Sequence, residues 1–95
     1  MITIRMYLIQ PYSYQQAERL GVFIRPSENP KKKIDVFKNK KKVASIGDPN
    51  YQDYPNYLKK DKALAEDRRR LYHIRHKGNS DKVGSPGYYS SRLLW

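Results

Sequence analysis

Apolar residues alternate with polar ones in some stretches of this chain and recur at helical spacing in others. Residues 2–9, ITIRMYLI, are rich in β-branched and bulky apolar types and predict a strand that Pro11 closes. Residues 13–20 predict a short helix, with Ser13 as N-cap, Gln16 at the capping-box position and Gly21 as the stop. Val22-Phe23-Ile24 is an apolar run too short to assign, and Pro26-Ser27-Glu28-Asn29-Pro30 predicts a loop. The clearest pattern follows. Lys33-Ile34-Asp35-Val36-Phe37 and Lys42-Val43-Ala44-Ser45-Ile46 flank the linker Lys38-Asn39-Lys40-Lys41 and predict a β-hairpin with one apolar face. Gly47-Asp48-Pro49-Asn50 breaks the second strand.

Tyrosines stand at positions 51, 54 and 57, where Pro55 opposes continuous helix. From Leu58 to about His76 the pattern turns helical. Leu64, Leu71 and Ile74 form one apolar stripe, and Arg69, Tyr72 and His76 form an adjoining one. Gly78-Asn79-Ser80 ends this helix, and Ser85-Pro86-Gly87 opens a last segment that is either a turn or two of helix or an extended arm. A closing Leu93-Leu94-Trp95 is costly to leave in water, so it should dock on the core or on a neighbour. These elements predict an α+β fold: a small antiparallel β-hairpin or sheet packed by one long helix, with the aromatic C-terminal segment docked on it. Residues 1–25 read as an N-terminal strand and short helix or arm, and 26–95 as a basic α+β module.

Composition sharpens this picture. At 95 residues the chain is one modest domain with a thin core. Its apolar content is unusually aromatic, with nine Tyr, two Phe and one Trp, a mixture suited to half-buried positions and interfaces. Twenty Lys and Arg against nine Asp and Glu give a net charge of +11, more than solubility needs, and a polyanion would relieve the self-repulsion. The charge is clustered: residues 31–42 hold seven Lys and one Asp, and residues 59–77 hold eight basic and three acidic side chains. No run is long and apolar enough for a transmembrane helix, and the first residues lack the basic start and cleavage site of a signal peptide.

The candidate chemistry is that of contact. Lys31, Lys32, Lys33, Lys38, Lys40, Lys41 and Lys42 put compact charges before, between and after the two hairpin strands, which suits phosphates better than base edges. Arg68, Arg69 and Arg75 join them, although neighbouring arginines on a helix diverge and some should pair with Asp61, Glu66 or Asp67. Tyr51, Tyr54 and Tyr57 are of a type that stacks on bases, with packing the favoured reading. The absence of Cys removes thiolate chemistry and Cys-based zinc sites. His73 and His76 stand three apart without a carboxylate cluster, so neither a metal nor any other cofactor is expected. No catalytic constellation emerges, though folding could bring Asp48 and His76 together.

From about residue 26 the order of motifs resembles a family of small uncharacterised basic proteins encoded by large DNA viruses and tailed phages. The resemblance runs through Pro26-Ser27, Lys33-Ile34-Asp35-Val36, Ile46-Gly47-Asp48 and Tyr51 to Tyr54. It continues with Arg69-x-x-Tyr72-x-x-Arg75-His76, Tyr89-Ser90 and the final Leu93-Leu94-Trp95. Ile46 departs from the Phe usual in that family, and the first 25 residues match nothing in it. The resemblance implies a viral origin and, by analogy, a place in the virion after synthesis in the host cytoplasm. Gly47, Asp48, Tyr72, His76 and Trp95 then read as a structural motif, with Asp48 capping or pairing with an Arg of the helix. The resulting expectation is a non-enzymatic, virion-associated protein that contacts nucleic acid through phosphates. The alternative is a minor capsid or cement protein that meets acidic capsid subunits, and a small nuclease around Asp48 and His76 is a distant third. No membrane partner is expected; a homo-oligomer or a larger assembly is.

Overall fold

Three antiparallel strands lie side by side in chain order: β1 (Phe23–Pro26), β2 (Ile34–Lys38) and β3 (Lys41–Ile46). They belong to a computed structural model that describes residues 6–95. Ile24 and Ala44 stand on either side of Val36, and Ile34 faces Ile46, so the apolar members of the alternation share one face. Phe23, Arg25, Asp35, Phe37 and Ser45 take the other face. The pairing of β2 with β3 shifts between Val36 and Phe37, leaving Val43 without a cross-strand partner. A two-residue turn joins the strands, with Asn39 at φ 53° and Lys40 at φ 67°. Positive φ at both positions matches the twist of the flanking strands.

Four helices complete the chain: α1 (Pro11–Leu20), α2 (Tyr54–Leu58), α3 (Lys62–Arg75) and α4 (Pro86–Leu93). The fold is α+β, as the sequence predicts. The helices that cover the apolar face of the sheet are α4 and α1. Ala17, Tyr89, Leu93 and Leu94 pack there against Ile24, Ile34, Val36, Ala44 and Ile46, and Ile9 belongs to the same buried cluster. Each large side chain buried in this way stabilises the fold by about 1.5–3 kcal/mol. The long helix α3 instead packs on α2, which corrects the expectation that it covers the sheet. Its expected apolar stripe is also displaced: Leu64 and Ile74 are exposed, while Ala65 and Tyr72 are buried.

Local signals explain most boundaries. Gly21 stops α1 at φ 70°, and the Val22 amide returns to the Ala17 carbonyl. Asp53 caps α2, with Pro55 in its first turn. Asp61 starts α3 by accepting from the Ala63 and Leu64 amides, so the helix expected from Leu58 begins only at Lys62, and the stretch where Pro55 is expected to oppose continuous helix forms the separate five-residue α2. Ser85 caps α4. Ser13 is not a cap, since α1 begins two residues earlier behind Gln10 with Pro11 in the first turn. Its buried hydroxyl donates to the Leu93 carbonyl at 2.6 Å. Gln16 donates to the Arg92 carbonyl at 3.1 Å, and the Tyr54 amide to that of Leu94 at 2.9 Å. Carbonyls that α4 leaves open at its end are thus satisfied by α1 and α2.

The strand expected over residues 2–9 lies partly outside the described residues, and from 6 to 10 the chain has no regular structure. The expected boundary at 25/26 falls inside β1, which is integral to the sheet, so α1 and β1 belong to the same body as the rest.

Candidate nucleic-acid interface

The hairpin carries its cations in two groups, at opposite ends of β2. Lys38, Lys40, Lys41 and Lys42 surround the turn, all exposed, with Lys38 directly across from Lys41. Lys31 and Lys32 lie at the other end, exposed in a turn shaped by Asn29, whose side chain accepts from the Lys31 amide.

Lys33 belongs to neither group. It is 4% exposed, and its Nζ donates to Asp53 Oδ2 at 2.8 Å and to the Tyr51 carbonyl at 2.6 Å. This corrects its assignment as a phosphate contact, because the ammonium already has its anion. The carboxylate is equally well held. Tyr7 donates to Asp53 Oδ2 at 2.6 Å, and the Asn56 amide and side chain donate to Oδ1. Burial, and then the hydrogen bond and charge of Asp53, push the Tyr7 phenol far above its ordinary range. No feature of a three-lysine run tells which member turns inward, and Asp53 lies twenty residues on.

The arginines of α3 diverge as helical geometry requires. Arg69 lies over the Tyr54 ring, 4.7 Å from its centre, and Arg70 pairs with Asp67 at 2.8 Å. Tyr54 in turn donates to Glu66 at 2.7 Å, and that bond, ahead of burial, raises its phenol above the usual range. Arg69 is therefore half-buried and engaged in packing. Arg68 and Arg75 instead line a cleft of about 720 Å³ together with Lys32.

That cleft gathers the residues of the motif. Trp95 lies flat on Tyr72, centres 4.6 Å apart and planes at 6°, and His76 lies 4.2 Å from Tyr72 at 26°. The buried Tyr72 ring is thus flanked by two parallel neighbours, and its hydroxyl reaches Ser90. Trp95 is half-buried, whereas Leu93 and Leu94 beside it are fully buried. Gly47 sits at φ 85° with Leu94 and Lys33 so close that a Cβ would fall 2.9 Å from their side chains. Only glycine meets both demands. Asp48 lies on the rim, exposed, and accepts from the Asn50 amide. It forms no ion pair with an arginine among the described residues, so the expected pairing is not made. Asp48 and His76 do line the same cleft. Among the described residues, no group of three or more His, Asp or Glu is placed to hold a metal ion.

The three tyrosines separate. Tyr54 is buried and meets Tyr12 edge-on at 5.2 Å. Tyr57 is half-buried near Trp95, and Tyr51 is exposed on the rim. No helix among the described residues is long and apolar enough to cross a membrane. No family model, no curated protein and no solved structure matches the chain.

Proposed function

We propose that this is a virus-encoded, virion-associated basic protein that binds nucleic acid through its phosphates and without catalysis. The observation that carries this reading is how opposite charges are disposed. Five of the nine acidic side chains, Asp35, Asp53, Asp61, Glu66 and Asp67, are engaged within the molecule by hydroxyls, backbone amides or a cation, while Glu18, Glu28, Asp48 and Asp81 stay exposed. Lys31, Lys32, Lys38, Lys40, Lys41, Lys42, Arg68 and Arg75 are exposed and form no ion pair among the described residues. Free cations facing water attract a polyanion and gain from counterion release. The viral and virion parts rest on the ordered motifs that resemble the small viral proteins.

Binding to duplex DNA should be independent of sequence and lose orders of magnitude between about 50 and 200 mM salt, as for six or more phosphate contacts. Replacing Lys38, Lys40, Lys41 and Lys42 by Gln should weaken binding uniformly across sequences. A salt-insensitive interaction, or an unchanged quadruple variant, would remove the hairpin as the contact surface. A minor capsid or cement role is the second reading, favoured by the exposure of Leu8, Ile74 and Val83. It predicts incorporation into particles that survives loss of the nucleic-acid affinity.

A further inference from the structure

The outer face of the sheet carries a feature that phosphate contact alone does not use. Phe23 of β1 stands directly across from Phe37 of β2, with ring centres 6.0 Å apart. Phe23 is 65% exposed, a large apolar ring left in water on a small protein whose core is thin. The Arg25 guanidinium lies over the Phe37 ring at 4.7 Å, and Lys42 is the cross-strand partner of Phe37 on the other side. The turn with Lys40 joins β2 to β3 just beyond this pair. The carboxylate on this face, Asp35, is 3% exposed and accepts from the Ser45 hydroxyl at 2.7 Å, so it offers little surface to a ligand. An open aromatic ring bordered by cations is complementary to a chain that has both free base faces and phosphates. Duplexes have the phosphates but keep their base faces stacked inside. Single strands present both.

We propose that this face binds single-stranded nucleic acid, with a base stacked on Phe23 and neighbouring phosphates held by Arg25, Lys42 and Lys40. The proposal rests on the reading of the protein as a nucleic-acid binder and adds which form it takes. Phe23 extends from the sheet away from the core, so its replacement leaves the packed face untouched.

The test is a titration of the full chain with fluorescein-labelled fifteen-nucleotide oligo-dT and oligo-U, a duplex of equal length, and polyglutamate, all at one salt concentration. The single strands should bind more tightly than the duplex. Phe23→Ala should weaken single-strand binding by roughly tenfold, the loss expected for one stacked base, and leave duplex binding unchanged. Phe23→Tyr should restore it. Comparing oligo-dT with oligo-U tells whether the strand is DNA or RNA, and a preference for either supports the proposal. Equal affinity for duplex and single strands, with Phe23→Ala indifferent, overturns this inference and leaves the phosphate reading standing. Binding of polyglutamate but of no nucleic acid overturns both and makes an acidic protein surface the partner.

Discussion

Lys32 and Lys33 are adjacent and chemically identical, yet one lines an open cleft and the other holds a buried carboxylate. Taking two charges out of water is costly, and the pair recovers that cost through its close geometry and the added bonds from Tyr7, Asn56 and the Tyr51 carbonyl. Removing one partner strands the other. Lys33→Ala should therefore lower the unfolding free energy by about 3–5 kcal/mol, the range for breaking a buried ion pair. Lys32→Ala should leave stability nearly unchanged and instead reduce the slope of log affinity against log salt by about one. Urea denaturation beside a salt titration of both variants separates the two roles. A stable Lys33→Ala protein with a lower salt slope would return Lys33 to the contact surface.

At the scale of elements, the hairpin turn sets conformation against charge. A turn of this kind favours Gly at its second central position, because a side chain there is strained at positive φ. Lys40 occupies it at φ 67°, between Lys38 and Lys41, which already face each other as like charges. Lys40→Gly should stabilise the protein by about 1 kcal/mol, the lower end of the cost of such a residue. It should also weaken nucleic-acid binding, so the midpoint in urea rises while affinity falls. If affinity holds, Lys40 is a solubilising charge at the hairpin end and makes no contact. The helices show a different balance. In α3 the residues turned inward are Ala65 and Tyr72 rather than the aliphatic stripe of Leu64 and Ile74. Tyr72 offers a ring that Trp95 and His76 cover and a hydroxyl that Ser90 accepts, so a single large amphipathic side chain decides how the helix is rotated.

For the whole molecule, a charge of +11 is held together by a small core and by polar links between distant segments. Those links make stability depend on pH at both ends. Asp35 is opposed by burial, but the hydroxyls of Ser45 and Ser27 with the charges of Lys42 and Arg25 outweigh it and hold its carboxyl below the usual range. A lowered pKa means that the unfolded chain takes up the proton first. Stability from Asp35 is thus complete above about pH 4 and is lost as pH falls through the native value. Tyr7 is shifted upward, so its contribution is complete below about pH 10 and is lost as pH rises beyond it. The parent protein should lose stability above about pH 10 more steeply than Tyr7→Phe does, read from denaturant midpoints. Equal slopes would show that Tyr7 ionises as freely folded as unfolded.

The sequence by itself determined the α+β class, the hairpin and its apolar face, the stops at Gly21 and Gly47, and the clustering of basic charge. These are local matters: alternation, glycine stops and charge runs act within a few residues, and their signals are written side by side. Only the tertiary structure decided which of three lysines turns inward, because its partner Asp53 reaches it through a fold that also brings in Tyr7. It likewise decided that Ser13 serves the Leu93 carbonyl rather than its own helix, and that α4 and α1, not α3, cover the sheet. Phe23 was legible as an apolar residue in a short run, but its place across from Phe37 on the open face follows from strand pairing. Contacts between segments far apart in the chain are set by which surfaces exclude water together, and a pattern of neighbours along the chain does not record that.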